Sequence, residues 1–208
     1  MSLFITFEGG EGCGKSVQAR ALYERLSQSA IPAVLTHEPG GTPLNKKIRR
    51  LLKEADNISI SPLAELLLFN AARTQLIDEV IRPELEKGKV VICDRYADST
   101  TAYQSYGRGL DLEMVKAINN AATQGIKPNL TVLLDISVEK GLARKKAKRR
   151  DRFERENITF HQRVREGYLK LAANDPERWL VVDASQSKAK IGQIIWQRVS
   201  QLLSKEVD

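Results

Sequence analysis

Apolar positions along this chain alternate between two patterns. Five short runs, LFITF at 3–7, IPAVLT at 31–36, KVVIC at 89–93, LTVLL at 130–134 and WLVV at 179–182, are nearly continuous and rich in β-branched or aromatic residues. Such runs predict strands buried on both faces, as in a parallel sheet. Between them, apolar residues recur at helical spacing. Ala19, Leu22 and Leu26 share one face after the first run. Thr42 is a good N-cap and Pro43 a good first residue for a second helix, with Ile48, Leu51 and Leu52 inward and Lys46, Lys47, Arg49 and Arg50 largely outward. A long helix is predicted over 59–87, capped by Ser61 and ended by Gly88, with Leu63, Leu66, Leu67, Asn70, Ile77 and Ile81 as its stripe. Pro83 should kink or locally break it.

Shorter helices follow. One is expected at 98–104, capped by Asp98; another carries Leu112, Val115, Ile118 and Ala122. Others are expected at 138–148, at 160–173 with Val164, Tyr168 and Leu171 inward, and at 191–203. This alternation predicts an α/β fold: a doubly wound, mostly parallel five-stranded sheet with helices on both faces. No internal repeat or linker interrupts it, so residues 1–208 are expected to form one domain.

The first strand-to-helix junction carries the most specific chemistry. Gly9-Gly10-Glu11-Gly12-Cys13-Gly14-Lys15-Ser16 fits the phosphate-binding pattern G-x-x-x-x-G-K-[ST]. Its glycines let backbone N–H groups turn inward around phosphate oxygens, and the helix start adds free donors and a positive dipole end. Lys15 supplies a mobile cation and Ser16 a hydroxyl ligand for magnesium. Residues 9–16 are thus candidates for binding phosphate groups.

Charge narrows the choice of partner. The chain carries a net +7, yet residues 144–155 alone hold eight Lys/Arg against two Asp/Glu, a net +6 that leaves +1 elsewhere. One dense basic segment suits a local phosphate site better than a wide nucleic-acid face. It lacks apolar periodicity, so it reads as a mobile charged lid at about 145–157, with a solvated helix face as the alternative. Cys13 and Cys93 form neither a disulfide framework nor a metal-site spacing, which points to a reducing cytoplasm. The N-terminus has no basic lead, so no signal peptide is expected, and no run approaches a membrane span.

Functional groups of parallel sheets gather at the carboxyl ends of strands. Asp94 directly follows an apolar strand and suits the organisation of Mg²⁺, with a helix N-cap as the alternative; Arg95 beside it suits a second phosphate or an ion pair. Phe69 and Arg73 share a helix face, as do Thr100 and Gln104, and a glutamine amide can read a nucleobase edge.

In this order and spacing the stretches FEGGEGCGKS, HEPGGTP, Phe69 to Arg73, DRY, 99–104, the basic lid and VVDAS resemble the thymidylate kinases nearly end to end. The resemblance implies a P-loop kinase fold, a homodimer, and transfer of the γ-phosphoryl of ATP to dTMP with Mg²⁺. At matched positions it implies that Phe69 stacks on thymine and Arg73 bonds a thymine carbonyl. Thr100 and Gln104 would read the edge around N3, and Tyr103 would crowd the sugar 2′ position. Arg95 would hold the dTMP phosphate with help from Arg49. Glu11 would face the sugar 3′-hydroxyl, and Glu38 and Asp94 would lie near the metal with Ser16.

Family members carry the catalytic arginine either in the P-loop or in the lid. Gly12 fills the P-loop place here, so the resemblance implies the lid type, with Arg152 first and Arg149 second, acting beside Lys15 and Arg95. His37 stands where the family commonly has arginine. The nearest rival is a kinase for another nucleoside monophosphate or a deoxynucleoside. A GTPase is disfavoured because no N-K-x-D motif is present.

Overall fold

The computed structural model describes residues 2–54, 59–145 and 151–205. Five strands, β1 (Leu3–Glu8), β2 (Ala33–His37), β3 (Val90–Asp94), β4 (Leu130–Asp135) and β5 (Trp179–Asp183), form one sheet in the order β2-β3-β1-β4-β5. Every pairing is parallel, so the sheet is wholly rather than mostly so. β1 lies at its centre. The register puts His37 opposite Asp94 and Phe7 opposite Asp94 from the other side, so the carboxyl ends of three strands meet at one edge. The chain leaves β1 for β2 and β3 on one side and later fills β4 and β5 on the other, and that reversal opens a crevice above β1.

Nine α-helices are described: α1 (Lys15–Gln28), α2 (Pro43–Glu54), α3 (Pro62–Leu76), α4 (Arg82–Glu86), α5 (Ala97–Thr100), α6 (Leu112–Thr123), α7 (Val138–Ala143), α8 (Ile158–Asn174) and α9 (Lys188–Lys205). The period of two in β1 divides its side chains between two cores. Leu3, Ile5 and Phe7 pack with Ala19, Leu22 and Leu26 of α1 and Ile191, Ile195 and Val199 of α9. On the opposite face, Phe4 joins Leu76, Ile77, Ile81 and Tyr96, while Leu133 and Trp179 join Phe160, Val164 and Tyr168 of α8.

The caps at Thr42 and Ser61 are as the sequence predicts. Thr42 Oγ1 accepts from Asn45 N at 3.2 Å, and Ser61 Oγ from Ala64 N at 3.3 Å. The helix predicted over 59–87 is locally broken just ahead of Pro83. It widens into a π turn at Ile77–Ile81 and resumes as α4, with Pro83 in its first turn. Pro83 has no N–H to give and its ring would strike the carbonyl of Glu79; a widened turn relieves both. Three predicted core leucines are instead on the surface: Leu51, Leu63 and Leu67 are 48%, 44% and 49% exposed. Asp98 does not cap a helix, since Tyr96 precedes α5 and Asp98 pairs with Arg178 at 2.7 Å. After α5 the chain winds as a π helix over Thr101–Gly107, and Thr100, Tyr103 and Gln104 are all buried.

Candidate functional site

The turn from β1 to α1 is built for close backbone approach. Gly9, Gly12 and Gly14 hold φ of 138°, 69° and 99°, values that L side chains rarely adopt. Lys15 Nζ folds back to donate to Gly9 O at 3.0 Å and Gly10 O at 2.8 Å, so the cation lies over the cradle. At the start of α1 the Ser16 hydroxyl donates to Asp94 Oδ2 at the end of β3. Those two oxygen groups fit Mg²⁺, a hard cation that keeps waters and phosphate oxygens and asks few ligands of the protein. The described residues contain no cluster of three His, Cys, Asp or Glu side chains able to hold a metal. Asp94 is the last residue of a strand, so its N-cap alternative is excluded.

Beside the loop stands Arg95, itself in the left-handed region at φ 75°. Its Nη2 donates to Glu11 Oε1 at 2.7 Å and to the Tyr103 hydroxyl at 3.1 Å, and that hydroxyl donates to the same Glu11 oxygen at 2.7 Å. Burial opposes ionisation of Glu11, but Arg95 and Lys15 outweigh it and hold the carboxyl well below the usual range. Arg95 is thus half of an ion pair with Glu11, one of the two alternatives the sequence leaves open. Beneath it, Glu8 is wholly buried. It accepts from Tyr96 N at 2.8 Å, Ser99 Oγ at 2.5 Å and Tyr168 OH at 3.0 Å. Burial, with Asp98 adding to it, pushes Glu8 up to about 7.

One cleft of about 500 Å³ joins the loop to a second pocket lined by Glu38, Arg49, Phe69, Arg73, Thr100, Tyr103 and Gln104. Arg73 is 1% exposed and heavily committed. Nε donates to Glu38 at 3.0 Å, Nη1 to Asn70 and Asn119 at 3.0 Å each, and Nη2 to Thr100 Oγ1 at 2.7 Å, while Nη2 also lies 2.9 Å from Glu38. A base carbonyl reaches this guanidinium only by sharing one of those N–H groups. Burial lifts Glu38 to about 7 despite Arg73. Gln104 is buried, which excludes the surface reading. Arg49 leans on Pro39 O at 2.9 Å. His37 lines the cleft, and partial desolvation with the nearby Arg49 lowers its pKa.

The basic segment is described only in part; Arg149 and Arg150 lie outside the described residues. Its remainder turns over the cleft. Arg152 is not among the cleft-lining residues: it pairs with Glu65 and donates to Leu52 O at 3.1 Å. Phe153, 5% exposed, sits against Phe69 and Tyr103 with ring centroids 5.7 and 6.1 Å away. Lys145 bridges Glu154 at 2.7 Å and stands 3.9 Å from Glu11. The Phe153 ring thus covers the second pocket beside Phe69 and Tyr103.

Comparison with known proteins agrees with this geometry. A family model described as thymidylate kinase matches residues 7–195. A thymidylate kinase of Dehalococcoides mccartyi is 57% identical over 203 residues, 98% of each chain, and one of a Roseiflexus species is 51% identical over 200 residues, 90% of this chain and 88% of the relative. The chain belongs to the thymidylate kinase family. A crystal structure of thymidylate kinase from Ehrlichia chaffeensis superposes with a TM-score of 0.78 at 34% identity, covering 95% of this chain and 98% of that one. The fold is accordingly that of the P-loop kinases.

Within that family Gly12 acquires a structural reason. A Cβ at Gly12 would stand 2.0 Å from the carbonyl oxygen of Gly141 in α7, and one at Gly141 would stand 2.4 Å from Glu11 O. P-loop and α7 touch backbone to backbone, so this chain has no room for an arginine at position 12. Arg144, at the end of α7, closes the contact by donating to Gly12 O at 3.4 Å and Ala184 O at 3.2 Å. Sequence reasoning missed Glu8, Glu65, Arg108 and Phe153. The last had one signal, a lone aromatic within a run of charges.

Proposed function

We propose that the cleft binds ATP and dTMP end to end and transfers phosphate between them. The chain, a thymidylate kinase family member, phosphorylates dTMP to dTDP with ATP as donor. The observation that supports this reading at the level of residues is one continuous cleft. It joins a P-loop to a buried pocket holding an aromatic ring, a hydroxyl and an amide. In the proposed division of labour, residues 9–16 hold the ATP phosphates, with Lys15 on the β/γ oxygens. Arg95, helped by Arg49, holds the dTMP phosphate. Phe69 stacks on the base, Arg73, Thr100 and Gln104 face its edge, Tyr103 stands at the sugar 2′ carbon, and Glu11 meets the 3′-hydroxyl.

Transfer is in line. A phosphate oxygen of dTMP attacks the γ-phosphorus as the bond to ADP breaks. The attacking phosphate is already ionised, so no strong general base is needed. The protein supplies position and charge. Ser16 and Asp94, with Glu38 nearby, are the groups suited to Mg²⁺, which when bound neutralises charge on the phosphate oxygens. Arg152 must leave Glu65 to reach that charge, and Arg149 is the second candidate; the lid at about 145–157 then also keeps water out. The exposed Leu44 and Leu51 of α2 and Leu63 and Leu67 of α3 support a homodimer through these helices. Two free buried cysteines support a reducing cytoplasm, and no described helix is long and apolar enough to cross a membrane.

The test is product formation from ATP with dTMP, dUMP, dCMP, AMP and GMP side by side. We expect dTDP to dominate; faster turnover of another monophosphate or of a free deoxynucleoside would overturn the assignment of the second pocket.

A further inference from the structure

We propose that Glu65 sets the specificity of the base pocket by fixing which way the Gln104 amide points. Glu65 is on α3 and wholly buried. Its Oε1 accepts from Gln104 Nε2 at 2.9 Å. A carboxylate offers acceptors only, so the amide must turn its nitrogen toward Glu65 and leave its oxygen for the cleft. The opposite orientation would press carbonyl oxygen against carboxylate oxygen inside a buried site. Two guanidinium groups flank the carboxylate: Arg108 stands at 3.1 Å through Nε, and Arg152 pairs with the other side.

The neighbouring Thr100 is polarised in the complementary sense. Its oxygen accepts from Arg73 Nη2 at 2.7 Å, so its own proton is left to donate. The wall therefore offers a donor beside an acceptor. That pair matches an imide edge, a carbonyl oxygen next to an N–H, as in thymine and uracil. It opposes a cytosine edge, which presents an amino group next to a bare nitrogen. An unrestrained glutamine would serve either edge by turning over; Glu65 removes that freedom. Glu65 is thus a positioning residue, and it acts through Gln104.

The inference rests on the reading that Gln104 faces the base, and the experiment separates the two. Binding of dTMP and of dCMP is measured by calorimetry without ATP for the native chain, Glu65→Gln and Gln104→Leu. Comparing two nucleotides on one protein cancels any lid effect of losing the Arg152 partner, since that acts on both alike. In Glu65→Gln the preference for dTMP over dCMP should fall on the order of tenfold, the worth of one buried hydrogen-bond mismatch. A ratio within twofold of native, with Gln104→Leu weakened for dTMP, overturns the role of Glu65. Native-like dTMP binding by Gln104→Leu overturns the reading of Gln104 itself. If Glu65→Gln does not fold, NMR of the native chain decides. The Gln104 side-chain amide protons should be protected from solvent exchange before and after dTMP is added, and exchange at the rate of a surface glutamine overturns the proposal.

Discussion

Replacing Glu8 by glutamine should make the chain more stable at high pH, by an amount that depends on pH in a defined way. Glu8 is wholly buried and pushed up to about 7 from an ordinary 4.5, chiefly by burial. In the unfolded chain it ionises near its ordinary value. Between these two values the folded state therefore holds the proton and the unfolded state does not, so folding stability falls as pH rises from about 4.5 to about 7 and is level above. A difference of that size corresponds to roughly 3 kcal/mol at full extent, at about 1.4 kcal/mol per pKa unit. The amide of Glu8→Gln would keep the acceptor for Tyr96 N, and its nitrogen could donate to the hydroxyls of Ser99 and Tyr168, both of which can accept. The geometry thus survives while the titration is removed. Urea unfolding of both proteins at intervals from pH 5 to pH 8 reads the effect. The stability of Glu8→Gln minus that of the native chain should climb by up to ~2.5 kcal/mol across that range, since part of the full effect is already lost at pH 5. Glu38, also lifted to about 7, remains in both and cancels. A difference that stays flat with pH would refute the reasoning, because Glu8 would then be ionised as readily in the fold as out of it.

Other consequences are simpler to measure. Arg152→Ala should lower kcat at least tenfold, at the modest end of what a finger arginine contributes, with little change in dTMP affinity; near-native turnover removes it from the catalytic role. Arg73→Ala should weaken dTMP binding while sparing the KM for ATP. It should also destabilise the fold by about 3–5 kcal/mol in chemical unfolding, because Glu38 is left buried without its partner; an unchanged KM for dTMP sinks the binding role. Gly12→Ala should raise the KM for ATP or lower the unfolding midpoint, since the new methyl meets a backbone carbonyl at 2.0 Å; native values of both would mean that the loop and α7 separate freely.

The sheet and the P-loop were legible because their signals are local. Five apolar runs each became a strand, and the spacing of Gly9, Gly14, Lys15 and Ser16 fixes a turn within eight residues. Helix faces were less legible. Leu63, Leu66 and Leu67 are equally apolar, but only Leu66 is buried, and nothing in a three-residue neighbourhood says how wide the covered stripe is. Asp98 looked like a cap because its partner Arg178 lies 80 positions away. The polar framework was the least readable part. Glu8 meets Tyr168 across 160 positions and Glu65 meets Gln104 across 39, and no spacing rule reaches that far. Arg152, by contrast, was singled out by resemblance, and its contact with Glu65 came only from the fold.

Those long-range contacts follow one design. Glu11 holds Arg95, Glu38 holds Arg73, and Glu65 holds Arg108 and Arg152; each of these arginines has a carboxylate that is buried or nearly so. As stabilising devices such pairs are poor, since removing two charges from water costs about what their attraction returns. Their value here is positional. A site that must receive two polyanions needs cations at fixed points, and unpaired arginines would repel one another and fold back onto surface. Held by carboxylates, they stay in place, and on the proposed reading an entering dTMP phosphate has only to share the Arg95 guanidinium. Arg95 is the clearest case: its left-handed backbone, its ion pair with Glu11, and the Ser99 and Tyr168 hydroxyls braced by Glu8 all fix one side chain beside the P-loop. Such preorganisation moves the cost of arranging charge from the reaction to folding, where it is met once.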